Sequence, residues 1–282
     1  TGRCIHSRFL LRPSQRVNAL IVGVLARAVE RFGVKLFGMC FLSNHYHLLL
    51  SSKDAATLAS FMQYIGSNIA REVGRQHQWK EKFWSRRYYA SVVLDEAAQE
   101  DRMRYILSNS VKEGLVRHVR YWPGVQCYRH LVEGTKLHGI WIDRTAKYIC
   151  PHLSERDLTT HYTLEIAKLP CHEHLSDLQY RDVIRELANE ALADCGVPKK
   201  PVGQKRILAM DPHTNPEHTD KSPAPLCHSG CTKKKREFKE AFQEFVSAYK
   251  AAYQRILKHS LKEEFPDGAL PPTAWCVSFT PG

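Results

Sequence analysis

Two histidines stand one residue apart in an apolar stretch of the chain. They are His45 and His47, in the segment FLSNHYHLLLSS at residues 41 to 52. This segment predicts a β-strand, and alternate side chains of a strand point to the same face, so both imidazoles would lie side by side on one face of a sheet. Two neighbouring imidazoles can provide two ligands of a metal site. A pair of polar residues on a solvated sheet face is the simpler interpretation.

A helix predicted at residues 96 to 113 carries a second polar face. Tyr105 and Asn109 are four residues apart and therefore share a side of the helix, with Arg102 and Lys112 flanking them. A phenol with an amide one turn away and cations on both sides suits attack on a phosphodiester. Without the histidines, a surface tyrosine would be the preferred interpretation.

An alternative tyrosine has the same spacing on an earlier helix. Tyr64 and Asn68 are also four residues apart, and Arg71 and Arg75 continue their face. The pattern alone leaves Tyr64 open as the nucleophile. A strand-contacting or packing role is the simpler interpretation of Tyr64.

The elements that must position these residues follow from hydrophobic periodicity, caps and breakers. An α+β fold is predicted, with one antiparallel sheet and helices packed on it. The helix after Asp95 has that residue as a plausible N-cap and ends near Gly114. The predicted order is a strand at 3–12, a helix at 15–33, strands at 34–42 and 45–51, a helix at 54–78, a strand at 88–94 and a helix at 96–113.

The pattern of predicted elements changes after Pro123, from long helices and strands to short strands and loops. This change predicts a catalytic domain at residues 1–125 and an accessory region at 126–282. The accessory region is expected to be mixed and largely helical. Its predicted parts are short strands and loops at 126–170, a helix at 177–195, a loop or linker at 197–232, and a long helix at 233–262 with a wide aromatic stripe.

Positive charge is concentrated in the first part of the chain. The net charge is +12, and residues 1–125 hold 19 Lys and Arg against 9 Asp and Glu, whereas the remainder holds 22 against 20. This field indicates a polyanionic partner, of which nucleic acid is the commonest. An inert basic surface is the alternative.

Cysteine usage and hydropathy bear on the compartment. The nine cysteines are scattered without a framework, which predicts reduced thiols in a cytosolic protein. No window of eighteen apolar residues exists, so no membrane span is expected, and the first residues show no signal peptide.

The two polar constellations together resemble a known family. MCFLSNHYHLLLSS is similar to the histidine-hydrophobic-histidine motif of the single-tyrosine HUH transposases. The stretches FWSRR at 83–87, YILSNS at 105–110 and EGLV at 113–116 resemble the later signature of the branch associated with repetitive extragenic palindromes (REP). Ser110 departs from the Pro that the family usually has there. The resemblance covers about residues 3–125.

The resemblance implies an HUH, ferredoxin-like catalytic domain in a bacterial, cytoplasmic, nucleoid-associated transposase. The family cleaves and rejoins single-stranded, hairpin-forming DNA through a 5′-phosphotyrosine. Carried over, Tyr105 is the nucleophile, because the family places it in the later helix, and His45, His47 and Asn109 hold Mg²⁺ or Mn²⁺. A monomer and a homodimer are both open.

A basic surface with interleaved aromatic residues is expected to contact phosphates and stacked bases. Core packing is the alternative for the tryptophans, of which Trp79 lies in the same stretch. The expected DNA-contacting residues are Arg71, Arg75, Lys80, Lys82, Trp84, Arg86, Arg87, Arg102 and Lys112.

Three rival functions stay open. A relaxase or rolling-circle initiator uses the same groups, although the signature at 83–116 argues against it. A hairpin-DNA-binding protein without cleavage and a metal-dependent hydrolase are the others. A structural zinc is a weaker prediction, from the clusters Cys171-His172-His174, Cys227-His228-Cys231 and Cys150-His152.

Overall fold

The computed structural model describes residues 1–196, 198–216, 225–258 and 263–270. Within these ranges the fold is α+β, with an antiparallel central sheet and helices packed around it, as the sequence predicts. No helix in these ranges combines the length and the apolar character that crossing a bilayer requires.

The central sheet has three strands in the order β1-β3-β2, all antiparallel. The predicted strands at 34–42 and 45–51 are confirmed. β3 lies in the middle and is held on both sides, by the pairing of its residue His45 with Arg3 and of His47 with Cys40. The strands are β1 (Gly2–Arg3), β2 (Lys35–Phe41) and β3 (His45–Ser51).

The predicted strand at residues 3–12 is wrong beyond Arg3. The chain forms a 3-10 turn at Ile5–Ser7, and His6 and Ser7 have positive φ angles of 49° and 54°. The adjacent residues Leu10 and Leu11 are both buried, so the segment lacks the alternation of a strand and fills the core as a loop.

Three long helices pack on the sheet and on one another. Each helix has an N-cap side chain that accepts a hydrogen bond from the backbone N–H three residues later. The N-cap residues are Ser14, Asp54 and Asp95. Gly33 and Gly114 have positive φ angles of 63° and 68° at or just after the ends of the first and third helices. All three predicted helices are confirmed, as α1 (Gln15–Phe32), α2 (Ala55–Gln76) and α3 (Glu96–Lys112).

An antiparallel hairpin, β5 (Leu137–Ile142) and β6 (Thr159–Leu164), lies across α1. The contact is a close backbone approach between Gly23 of the helix and Gly139 of the strand. A Cβ atom at either position would overlap backbone atoms of the other element, so both positions require glycine. The hairpin thereby becomes part of the support for α1.

Several of the remaining elements lie near the ends of α3 or pack against it. β4 (Val92–Val93) is all that forms of the predicted strand at 88–94, and it pairs in parallel with β7 (Cys227–His228) rather than with the central sheet. The predicted helix at 177–195 is confirmed and packs against α3. That helix is α6 (Asp177–Cys195), and the shorter helices are α4 (Tyr128–Glu133), α5 (Arg144–Ile149) and α7 (Gln204–Ala209).

The long C-terminal helix is confirmed as α8 (Thr232–Lys258), and residues 259–262 of the prediction lie outside the described ranges. Only part of its predicted apolar stripe is covered: Ala252 and Ile256 are buried, whereas Phe242 and Tyr253 are exposed. The predicted linker at 197–232 contains α7 and β7, and its residues 197 and 217–224 also lie outside the described ranges.

One hydrophobic core contains side chains from both sides of residue 125. Met39 and Ile65 of the first part belong to the same cluster as Tyr128, Leu164 and Ile184 of the second. The predicted division at residue 125 is therefore not a division of the core.

Candidate active site

The two histidines lie together on one face of the central strand β3. The centroids of the His45 and His47 rings are 5.1 Å apart, and the ring planes are perpendicular. Tyr46 between them points to the other face, where its ring stacks on Phe41 in the core. The alternation of side chains along a strand thus brings the paired imidazoles to one side.

Both imidazoles are neutral and have one nitrogen fixed by a neighbour. His45 Nδ1 is 2.7 Å from Asn44 Oδ1, and His47 Nδ1 is 2.9 Å from Thr1 Oγ1. Burial lowers the pKa of His45 to about 3 and that of His47 to about 2, with further contributions from nearby positive groups that include Arg3. A neutral imidazole whose Nδ1–H donates to a neighbour presents the lone pair of Nε2, the arrangement that a metal-binding histidine needs. Asn44 Oδ1 is such an acceptor for His45, whereas the Thr1 hydroxyl beside His47 can donate or accept.

Tyr105 on α3 faces the histidines. Its ring packs edge-on against the ring of His47, with the centroids 5.0 Å apart. Burial, followed by the Glu113 carboxylate, raises the pKa of the Tyr105 hydroxyl above its usual value, so the phenol is protonated at neutral pH. The cations of Arg102 and Lys112 each lie 5.3 Å from the centroid of the Tyr105 ring.

Asn109, one turn after Tyr105, is fully buried. It lies close enough to the His45 ring and the Tyr105 hydroxyl to affect the pKa of both. Nevertheless, neither Oδ1 nor Nδ2 of Asn109 has a hydrogen-bond partner of normal geometry in the described part of the chain. Nε2 of His47 is buried and unpartnered in the same way.

These unpartnered atoms fit a divalent cation. A buried polar group without a partner costs about 1–3 kcal/mol, so a cluster of such groups calls for a reason. Two imidazole nitrogens and one amide oxygen form a donor set that accepts Mg²⁺ or Mn²⁺, and the imidazoles shift its preference toward Mn²⁺. His45, His47 and Asn109 could therefore hold such an ion beside the Tyr105 hydroxyl.

The candidate site opens into a cavity of about 1590 Å³. Of the cations predicted to contact DNA, four line this cavity with His45, His47 and Tyr105. They are Arg86, Arg87, Arg102 and Lys112.

The other predicted DNA-contacting residues lie elsewhere. Trp84 is a packing residue, because its indole N–H donates to the Gly66 carbonyl at 2.8 Å and its ring packs edge-on against Tyr46. The remaining predicted cations are exposed on α2 and the loop after it and do not line the cavity: Arg71, Arg75, Lys80 and Lys82.

Tyr64 is not brought to the histidines. Its hydroxyl accepts a hydrogen bond from Arg27 Nε at 2.9 Å, and its ring stacks on Trp141 with the centroids 5.9 Å apart. Asn68 Nδ2 donates to the Tyr64 carbonyl at 2.8 Å. The second tyrosine–asparagine pair is thus engaged in the contact of α2 with α1 and the β5–β6 hairpin.

Sequence reasoning did not place Arg3 or His228 at this site, although both line the cavity. Arg3 reaches the site because β1 pairs it with His45, a register that the sequence pattern does not specify. His228 arrives from a segment more than a hundred residues after α3, and its Nε2 lies 3.1 Å from Ser91 Oγ. No local signal places either of them here; the cluster Cys227-His228-Cys231 suggests a zinc site instead.

We call residues 225–231 the strap, because they bind the start of α3. The carboxylate of Asp95 caps the helix at Ala98 N and also accepts hydrogen bonds from Ser229 Oγ and from Gly230 N. These hydrogen bonds lower the pKa of Asp95 to about 2. The strap therefore helps to fix the helix that carries Tyr105 and Asn109.

Comparison with known proteins bears on the segment that contains this geometry. Residues 8–109 match the family model described as "Transposase IS200 like". A Haemophilus influenzae protein named "Putative REP-associated tyrosine transposase" is 25% identical over 104 residues, an alignment that covers 33% of this chain and 59% of the relative. The chain thus matches a little over half of that relative's length, and no solved structure matches.

The matched segment begins after the 3-10 turn at Ile5–Ser7 and ends at Asn109, so it includes His45, His47 and Tyr105. The family model and the relative agree with each other and with the resemblance in the sequence motifs. Residues 8–109 of this chain are therefore similar to the IS200-like transposases over the segment that carries the candidate site.

Proposed function

We propose that the protein is a metal-dependent DNA-strand transferase that cleaves and rejoins single-stranded, hairpin-forming DNA through Tyr105. The observation that carries the proposal is the pair of buried, unpartnered donors, His47 Nε2 and the Asn109 amide, beside the Tyr105 ring. The similarity to IS200-like transposases and the basic cavity support it.

His45, His47 and Asn109 would hold the divalent cation. When bound, such an ion acts as a Lewis acid that stabilises the negative charge developing on the scissile phosphate. Arg102 and Lys112 lie beside the Tyr105 ring and would contact the phosphate backbone.

In the transfer step the Tyr105 hydroxyl oxygen attacks phosphorus, and the bond from phosphorus to the 3′ oxygen breaks. The phenolic proton is lost from Tyr105, and the leaving strand gains a proton at its 3′-hydroxyl, so the net step exchanges one phosphodiester for another. The product is a 5′-phosphotyrosine. Because this bond retains the phosphodiester energy, a second 3′-hydroxyl can attack it and rejoin the DNA without ATP.

The proposed active site is built within one chain. His47 and Tyr105 of the same chain pack ring against ring, so no second subunit is needed to bring the nucleophile to the metal-binding residues. Mixing His47→Ala with Tyr105→Phe protein should therefore not restore activity. Restored cleavage in the mixture would show that subunits share sites.

The test is an adduct assay. The full chain is incubated with end-labelled hairpin single-stranded DNA and Mn²⁺ or Mg²⁺, and the products are separated on a denaturing gel. A covalent protein–DNA adduct is expected that disappears with chelator and in Tyr105→Phe but persists in Tyr64→Phe, the matched control.

Other outcomes distinguish the rival functions. Retarded complexes without an adduct under either metal would indicate a hairpin-binding protein. Cleaved DNA without an adduct would indicate a hydrolase. An adduct that persists in Tyr105→Phe and is lost in Tyr64→Phe would overturn the assignment of the nucleophile.

A further inference from the structure

Three side chains of types that can bind a metal lie together at α3, on the side of the helix away from Tyr105. The 3-10 turn Pro170–His172 packs against α3, where the Cys171 N–H donates to Gln99 Oε1 at 3.2 Å. His172 Nε2 lies 3.0 Å from Glu100 Oε1. Glu100 precedes Tyr105 by five residues and so points about 140° away from it around the helix.

We propose that Glu100, Cys171 and His172 bind a zinc ion that fastens this turn to α3. One ligand atom from each residue, namely a carboxylate oxygen, the thiol sulfur and an imidazole nitrogen, lies within 4.8 Å of the other two. In a tetrahedral site with Zn–N near 2.0 Å and Zn–S near 2.3 Å, ligand atoms are roughly 3.3–3.8 Å apart. Shifts of about 1 Å or less would therefore form the site.

The chemistry of the three donors selects zinc over the ions expected at the active site. A thiolate is a soft ligand that favours Zn²⁺, whereas Mg²⁺ and Mn²⁺ favour oxygen. The active-site set of His45, His47 and Asn109 contains no sulfur. A water molecule, or Glu96 one turn before Glu100, would complete four-coordination.

The site is reachable, and two carboxylates lie near the thiol, one of which, Glu100, also pairs with the Arg104 guanidinium at 3.4 Å. The side chains of His172 and Glu100 are 15% and 31% exposed, so an ion can enter while most of the site stays covered. Burial first, and then the Glu100 and Glu96 carboxylates, raise the pKa of the Cys171 thiol. Zinc binding would replace the thiol proton, which passes to solvent, and would neutralise negative charge on these carboxylates.

The test measures zinc directly and avoids the active site. The full chain carrying His45→Ala and His47→Ala is stripped with chelator, titrated with Zn²⁺ and assayed for bound metal. We expect one zinc per chain, with affinity at least about 10-fold weaker after either Cys171→Ser or Glu100→Gln. Co²⁺ in place of zinc should give a thiolate charge-transfer band that Cys171→Ser abolishes.

Cys195→Ser is the matched control, because Cys195 is a half-buried free thiol on α6 outside the cluster, and it should leave zinc affinity and the Co²⁺ band unchanged. Circular dichroism of each variant tests folding, and Glu100→Gln keeps the test valid if Cys171→Ser misfolds. No zinc bound by the double-alanine protein, or zinc retained in both Cys171→Ser and Glu100→Gln, would overturn the proposal. Because the double-alanine protein lacks the proposed active-site metal ligands, failure here is distinct from failure of the proposed transferase.

Discussion

Helices α2 and α3 carry the same short pattern in two different environments. Both begin at an aspartate N-cap, and both present a tyrosine with an asparagine one turn later and cations beside the ring. On α2, the hydroxyl of Tyr64 accepts a hydrogen bond from Arg27, and Asn68 donates to a backbone carbonyl. On α3, the Asn109 amide lies near His45 and Tyr105, but neither of its polar atoms has a hydrogen-bond partner of normal geometry in the described ranges.

Burial does not distinguish the two tyrosines, because it raises the pKa of both hydroxyls. The distinction is polar satisfaction. A satisfied cluster such as that of Tyr64 contributes to stability, whereas an unsatisfied one costs free energy and is kept where another component uses the free atoms. Hydrogen-bond satisfaction, more than the spacing of residue types, therefore separates the candidate site from its counterpart on α2.

Truncation of the two asparagines should affect the two helices most differently. Asn109→Ala should slow adduct formation by about 10²-fold, roughly 2.7 kcal/mol of transition-state stabilisation, and raise the Mn²⁺ concentration required, because a proposed metal ligand is lost. Asn68→Ala should leave the rate within about 2-fold once folding is matched. Single-turnover adduct formation against Mn²⁺ concentration measures both, and equal losses in the two variants would refute the distinction.

Replacing the arginine beside each tyrosine with methionine should lower stability in one case and DNA binding in the other. Arg27→Met should lower the free energy of unfolding by about 2 kcal/mol, because Arg27 donates to both Tyr64 and Tyr162 and lies over the Trp141 ring. Arg102→Met should change stability by less than about 0.5 kcal/mol but weaken binding to hairpin DNA. Urea unfolding and DNA titration at two salt concentrations test the pair, and the opposite assignment of effects would contradict it.

Replacing each asparagine with leucine should change the free energy of unfolding in opposite directions. Asn109→Leu should raise the free energy of unfolding of the metal-free protein by about 1 kcal/mol, because it removes buried polar atoms that have no partner. Asn68→Leu should lower it by about 1 kcal/mol, because a hydrogen bond is lost. Urea unfolding with chelator present measures both, and a destabilised Asn109→Leu protein would mean that the amide is satisfied.

The smallest effect concerns the two aspartate caps in acid. Hydrogen bonds from Ser229 and Gly230 lower the pKa of Asp95 to about 2. Asp54 caps α2 in the same way, but its pKa is lowered mainly by hydrogen bonds from Thr57 in its own helix. The carboxylate of Asp95 stabilises the folded chain above its unfolded pKa near 4, and this contribution disappears as the pH falls toward 2.

The stability difference between the wild type and Asp95→Asn should therefore be constant above about pH 5 and close as the pH approaches 2. Asp54→Asn is the control and should show a smaller difference. A difference for Asp95→Asn that does not change between pH 5 and pH 2 would show that the strap does not bind the ionised carboxylate.

Local signals in the sequence were sufficient for the three long helices and for the paired histidines. The caps Ser14, Asp54 and Asp95 and the alternation around Tyr46 act within a few residues, so they can be recognised without a fold. The segment 3–12 was mispredicted because its apolar residues fill the core from a loop. The partners Arg3, His228 and Arg27 depend on contacts across distant parts of the chain, which periodicity does not encode.

Contacts between distant parts of the chain also decide the roles of the two tyrosines and the grouping of side chains on the other side of α3. Spacing makes Tyr64 and Tyr105 equivalent, and tertiary contacts separate them: Arg27 and Trp141 engage Tyr64, whereas His47 packs against Tyr105. Cys171 and His172 were noticed as a cluster with His174, but their partner Glu100 lies about 70 residues earlier and joins them only through tertiary packing.

The shared carboxylate of Asp95 has a consequence for the order of folding. During synthesis from the N-terminus, Ala98 follows Asp95 at once, but Gly230 is added 135 residues later. The nascent helix α3 can thus begin with its local cap, while its full anchorage waits until the strap has been made. A ribosome-bound chain that ends before the strap would hold the candidate nucleophile on a helix whose first turn is still free to fray.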